Sequence, residues 1–170
     1  MHFLVEENCM QESQNVSVVR AITSDKAVIA NLIQLYLYDM TADLPFPVGR
    51  DGRFEYDFFE RFWQHPYLIF SNSELAGFAF VVDGSPISNA PNRHFMAEFF
   101  VLKAYRGKGV GSEAFRQILE HHPGLWQLGV IEKNGGASAF WSKVVAPCSP
   151  NSYPHHFDGE DWLVYEFEVA

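Results

Sequence analysis

The chain has 170 residues, of which 48% are apolar and 19% charged, a composition that indicates one globular domain with a substantial core. Its 21 acidic residues outnumber its 12 basic residues, and the formal charge of -9 disfavours general nucleic-acid binding and favours cationic partners. Two cysteines are too few for a disulfide scaffold, and no apolar run is long enough to span a membrane. We therefore expect a soluble cytoplasmic protein, with residues 1–14 as a polar tail and residues 15–170 as a single domain.

Hydrophobic periodicity and turn residues predict an α/β fold. Residues 95–102 are apolar apart from Glu98, which is typical of a strand buried on both faces. Ser24 is expected to cap the first helix. The order of elements indicates a mixed sheet with one strand–helix–strand crossover near the middle. In chain order the predicted elements are a strand at 16–22, a helix from 24 that fades at 40–44, a short helix at 56–64, strands at 67–70, 75–82 and 95–102, a helix from 110 to Pro123, a strand at 125–131, a helix at 134–145 and a strand at 162–169.

A glycine-rich turn follows the buried strand and leads into a helix. Residues 103–116 hold four cations and one anion, a net charge of +3 within an acidic chain. Glycines let the backbone approach a ligand closely, and the start of a helix offers unpaired N–H groups. This combination predicts a phosphate or diphosphate site. The spacing of Gly107, Gly109 and Gly111 matches neither a Walker loop nor a Rossmann loop, and a plain turn that caps the helix is the structural alternative.

The segment resembles motif A of the GNAT superfamily of N-acyltransferases, R/Q-x-x-G-x-G/A. The resemblance rests on the run from Tyr105 to Gly111 after the strand residues 99–102, and on Asn134, Ala137 and 140–141, which are similar to the family's N-x-x-A-x-x-x-Y helix start. It implies a mixed, mostly antiparallel central sheet of about six or seven strands flanked by four helices. It also implies that acetyl-CoA is the cosubstrate, bound by Phe100, Val101, Leu102, Arg106, Gly107, Lys108, Gly109, Val110, Gly111, Ser112 and Asn134.

Within that family resemblance, Glu98 is the candidate general base, because burial raises a carboxyl pKa towards neutral pH. A structural ion pair with Arg93 or Arg20 is the alternative role for Glu98, and Asn134 could equally be a helix cap. The resemblance also places an oxyanion-stabilising backbone N–H near Val101. Trp141 stands where the family often has a tyrosine that acts as the general acid, so this role is not assigned here. Tyr153 is the nearest other candidate for it.

These residues favour an N-acetyltransferase that moves an acetyl group from acetyl-CoA to a primary amine of a small molecule in a ternary complex. A non-catalytic acyl-CoA sensor of the same fold is the alternative, and a protein-interaction domain that dimerises through its last strand explains less. We expect no metal, nucleic-acid or membrane partner, and a homodimer stays open. The acids at 39–61 and 158–161 are either an ordinary solvated surface or a lip that attracts the amine.

Overall fold

The computed structural model describes residues 14–170, so residues 1–13 of the predicted tail lie outside it. The described chain forms one seven-stranded sheet with four α-helices, which confirms the predicted fold class. Its elements are β1 (Val16–Arg20), α1 (Lys26–Met40), α2 (Phe59–Phe62), β2 (His65–Ser71), β3 (Glu74–Asp83), β4 (His94–Val101), α3 (Val110–His121), β5 (Gly124–Ile131), α4 (Gly135–Val145), β6 (Asn151–Phe157) and β7 (Glu160–Val169). None of these helices is long and apolar enough to cross a membrane.

The strands lie in the order β1-β2-β3-β4-β5-β7-β6, and every neighbouring pair is antiparallel except β4 and β5. That parallel pair is joined by α3, which is the predicted crossover. One face of the sheet packs against α1 through a cluster that includes Ile29, Ile33, Phe78 and Phe100. The other face packs against α3 and α4 through a second cluster. β3 and β4 therefore lie in the middle of a three-layer core.

Three local predictions were wrong. The helix predicted at 56–64 is a single turn, Phe59–Phe62. Ser24 does not cap α1, because a 3₁₀ turn at Thr23–Asp25 precedes the helix and the side chain of Asp25 accepts a hydrogen bond from Ile22. Residues 151–157, for which the sequence predicts no strand, form β6 despite Pro154. Proline is tolerated there because β6 is an edge strand that pairs only with β7.

β4 and β5 are paired at only two positions, His94 with Trp126 and Phe95 with Gln127. A register shift against β3 falls between Met96 and Glu98, so Ala97 is the extra residue of a β-bulge in β4. Beyond that point β4 continues to Val101 and β5 continues to Ile131, but the two strands do not pair with each other. The bulge thus opens the sheet between β4 and β5.

Candidate active site

The opening between β4 and β5 exposes backbone groups of β4. Leu102 N donates to Ala76 O at 2.8 Å, so the peptide groups of Leu102 and, two residues earlier, Phe100 face β3. The backbone of Phe99 and Val101 therefore faces the opening, where β5 provides no pairing. Val101 O already accepts a hydrogen bond from Arg106 Nε at 2.7 Å. The N–H of Val101, the oxyanion donor considered above, points into the opening.

The glycine-rich turn lies immediately beyond β4 and is solvent-exposed. Gly107 and Gly109 have φ of 72° and 82°, the left-handed region that glycine adopts without strain. Within residues 14–170, none of the six amides from Gly107 to Ser112 donates to an acceptor; the first helical bond runs from Glu113 N to Gly109 O. The amide of Arg106 donates to Lys103 O at 3.2 Å and is already used. Six consecutive free amides at the start of α3 form a candidate anion site.

The cations of the turn are largely neutralised by neighbouring carboxylates. Asp39 accepts from Lys103 Nζ at 2.9 Å and from Arg106 at 2.6 Å. Arg116 pairs with Glu113 and Glu120. Of the four turn cations, Lys108 alone makes no ion pair within residues 14–170. The net positive charge expected from sequence is therefore offset by neighbouring acids, which leaves the backbone amides as the candidate groups for binding phosphate.

Gly111 and Phe140 bring the first turn of α3 against α4. A Cβ on Gly111 would lie 2.9 Å and 3.1 Å from two ring carbons of Phe140. The Phe140 ring stacks on Phe99 with a centroid separation of 5.8 Å. On the face of the sheet that α3 and α4 cover, the stacked rings of Phe99 and Phe140 therefore border the opening, next to the glycine-rich turn.

Glu98 lies on β4 directly after the bulge, on the face of the sheet that α1 covers. Burial raises the pKa of its carboxyl group to about 7, although interactions with Tyr36 and Tyr56 oppose the rise. Tyr56 Oη donates to Glu98 Oε1 at 3.0 Å. The predicted structural alternative is not realised, because Arg93 pairs with Glu166 at 2.9 Å and Arg20 contacts His65 and Gln64. A half-neutral carboxyl group beside the opening can act as a general base.

Asn134 caps α4, since its Oδ1 accepts from Ala137 N at 3.0 Å. Its side-chain oxygen is thereby used within the helix. Trp141 is buried in the core against Phe115 and presents no proton donor to the opening. Tyr153 donates to Glu166 at 3.2 Å and accepts from Gln127. The hydroxyl group of Tyr153 therefore belongs to a separate polar cluster with Gln127 and Glu166.

The acidic lip is partly structural. Glu60 pairs with Lys26, Glu160 with Lys133, and Asp161 with His156, while Asp39 holds the turn. Of the acids at 39–61 and 158–161, those that stay exposed and make no ion pair within residues 14–170 are Asp43, Asp51, Glu55, Asp57 and Asp158. Across the same residues, no group of three or more His, Cys, Asp or Glu side chains is arranged to hold a metal ion.

Sequence reasoning missed the role of Tyr36, Asp39 and Tyr56 at this site. Tyr36 and Asp39 lie three residues apart on α1 and therefore share a helix face, but no sequence motif marks either of them as part of a site. Tyr56 lies 42 residues before its partner Glu98. No pattern in the sequence links residues so far apart.

Comparison with known proteins agrees with this geometry. A model of the acetyltransferase (GNAT) family matches residues 32–145. No curated protein matches the sequence. Among solved structures, a GNAT acetyltransferase from Streptococcus agalactiae has a TM-score of 0.67 at 14% identity, covering 91% of this chain and 96% of that chain.

Two further structures share the fold at low identity. For yncA of Salmonella typhimurium, solved with its cofactor acetyl-CoA, the TM-score is 0.60 at 11% identity, covering 91% of this chain and 94% of that chain. RimL, a ribosomal L7/L12 alpha-N-protein acetyltransferase, has a TM-score of 0.62 at 14% identity, covering 91% of this chain and 90% of that chain. Since the family model spans more than half of the sequence and the bulged, opened sheet carries the expected loop, the chain belongs to the GNAT family of acetyltransferases.

Proposed function

We propose that the chain is an N-acetyltransferase that takes its acetyl group from acetyl-CoA and passes it directly to a primary amine of a small molecule. The observation that carries this proposal is the run of six free amides from Gly107 to Ser112 beside the opening that leads to Glu98. A diphosphate fits the amides, and an extended pantetheine arm fits the unpaired edge of β4 at Phe99 and Val101. When bound, acetyl-CoA supplies the activated acyl group.

In the proposed mechanism Glu98 removes a proton from the ammonium group of the acceptor. The free amine then forms the C–N bond while the C–S bond breaks, and the electron pair of that bond leaves with the thiolate. The nitrogen loses its second proton to solvent, which leaves a neutral amide. The N–H of Val101 stabilises the negative charge that develops on the carbonyl oxygen. The proton on Glu98 passes to solvent. The thiolate leaves unaided, because a thiol is a modest base and Trp141 offers no acid.

Replacement of the base tests the mechanism. We expect Glu98→Gln to lower kcat roughly 100-fold or more while leaving the affinity for acetyl-CoA unchanged, because the amides that bind the diphosphate are untouched. The matched control is Glu168→Gln, an exposed carboxyl group near the end of β7, two strands away from β4. Turnover is followed by thiol release with a panel of amines, and binding by isothermal titration. Undiminished turnover in Glu98→Gln would exclude Glu98 as the base, and the absence of acetyl-CoA binding by the intact protein would overturn the whole proposal.

One observation favours a second candidate, a sensor of acyl-CoA without catalysis. Trp141 is buried where related enzymes often carry a proton donor. A sensor would bind acetyl-CoA with normal affinity and release no thiol with any amine of the panel. Turnover of a single amine that depends on Glu98 excludes the sensor.

A further inference from the structure

Two tyrosines surround the carboxyl group of Glu98. Tyr56 Oη donates to its Oε1 at 3.0 Å, and Tyr36 of α1 interacts with the same group. Within residues 14–170, no Lys, Arg or His forms an ion pair with Glu98. The environment of this carboxyl group is therefore set by neutral phenols rather than by a cation.

Both phenols are held in place by their surroundings. The Tyr36 ring packs edge-on against Phe78 at 6.0 Å and tilted against Phe100 at 5.5 Å. The segment that carries Tyr56 is tied to α1 by Gln34, whose amide donates to Phe54 O at 3.0 Å and accepts from Phe54 N at 2.8 Å. Neither hydroxyl needs to be recruited when a substrate arrives, so the geometry is preorganised.

We propose that Tyr56, assisted by Tyr36, is a positioning residue that fixes the carboxylate of Glu98 for proton removal from the acceptor amine. This inference rests on the proposed function of Glu98. The phenols also offset part of the cost of burying the carboxylate, because each hydrogen bond favours the charged form. Burial and the nearby Glu98 raise the pKa of Tyr36 and of Tyr56 above the ordinary value, so both phenols stay protonated and Tyr56 continues to donate to Glu98.

The pH dependence of turnover separates positioning from mere packing. A base must be ionised, so kcat/KM of the wild type rises with pH through about 7, the pKa of Glu98. Tyr56→Phe keeps the ring and removes the donor. We expect it to move this rise to higher pH by about one unit, with a larger loss of activity at pH 6.5 than at pH 9. Tyr36→Phe should move it in the same direction.

Tyr38→Phe is the matched control, because Tyr38 follows Tyr36 by two residues on α1, is 67% exposed and is not among the side chains that shift the pKa of Glu98. Isothermal titration with acetyl-CoA and a thermal melt verify that each variant is folded. A second readout, titration of the Glu98 carboxyl by NMR with ¹³C-labelled glutamate, does not depend on activity. If Tyr56→Phe folds poorly, Gln34→Ala takes its place. This change releases the segment that carries Tyr56 and should raise the pKa of Glu98 in the same experiment.

An unchanged pH profile and an unchanged carboxyl titration in both Tyr→Phe variants would overturn the inference, even if their activity fell uniformly. The proposed function fails by a different result, namely full turnover in Glu98→Gln. The two failures are therefore distinguishable with the same set of proteins.

Discussion

Gly111 and Gly109 are glycines for different physical reasons. Gly109 has a φ of 82° at the start of α3, a conformation that residues with a side chain rarely adopt. Gly111 lies inside the helix, where glycine is intrinsically unfavourable, but the Phe140 ring occupies the space that its Cβ would need. The close packing of α3 on α4 beside the anion site thus accounts for a residue that helix propensity alone does not.

We expect Gly111→Ala to destabilise the fold by about 1–2 kcal/mol, because the added methyl group must displace a ring already stacked on Phe99. It should also weaken acetyl-CoA binding, since the displaced ring borders the opening. The control is Gly135→Ala at the start of α4, where no atom lies within 4 Å of the added Cβ. That change should be neutral or stabilising by up to about 1 kcal/mol. Denaturant unfolding of both variants measures the difference; equal stability of the two variants would contradict it.

The last turn of α1 connects the two halves of the candidate site. Tyr36 reaches the carboxyl group of Glu98, and three residues later Asp39 holds Lys103 and Arg106 of the turn. Burial alone would raise the pKa of Asp39, but hydrogen bonds from the two cations outweigh this effect and lower it. Arg106 is thereby directed back towards α1 and β4 rather than towards a ligand. Its side chain holds the turn in shape while the backbone amides face outward.

Asp39→Asn should therefore weaken acetyl-CoA binding roughly threefold to tenfold, as expected for the loss of a partly exposed pair of ion contacts. The chain offers Asp43→Asn as a control, because Asp43 is exposed and forms no ion pair within the described residues. Isothermal titration at fixed salt concentration compares the two variants. The same affinity in both would show that the ion pairs do not shape the turn.

At the scale of the whole molecule, titratable groups gather at both ends of β4. His94, the first residue of β4, contacts Asp83 at 3.1 Å. Asp83 also pairs with His65 at 2.9 Å. His122 lies buried between these two histidines and shares a hydrogen bond of 2.8 Å with Tyr67 Oη. Burial, His65, His94 and Arg20 lower the pKa of His122 to about 4. Since this group is neutral in the folded protein, an unfolded chain binds its proton more readily.

Stability should consequently fall as the pH drops from about 6.5, the ordinary pKa of histidine, to about 4, the pKa of His122 in the folded protein. Glu98 acts in the opposite sense: its raised pKa contributes stability below about 4.5 that is lost as the pH rises through 7. His122→Gln removes the first effect and keeps the second. We therefore expect the Tm at pH 7 minus the Tm at pH 4.5 to be more positive in the wild type than in His122→Gln. Thermal melts at both pH values check this, and an identical difference in the two proteins would refute it.

Features that depend on neighbours in the chain could be read from the sequence. The glycine-rich turn after β4 and the cap of α4 by Asn134 each involve residues within a few positions of one another. The same local patterns indicated the crossover and the strand that carries Glu98. The turn chemistry also located the free amides, because positive φ and the start of a helix are properties of adjacent residues.

Only the tertiary structure decided which distant groups meet. It brought Tyr56 to Glu98, directed Arg106 to Asp39, buried Trp141 in the core and paired β6 with β7 despite Pro154. Each of these contacts depends on strand register and helix packing, which place residues far apart in the chain side by side. Local propensity carries no information about such partners, so the sequence determined the anion-binding turn and the candidate base, while packing determined what surrounds and tunes them.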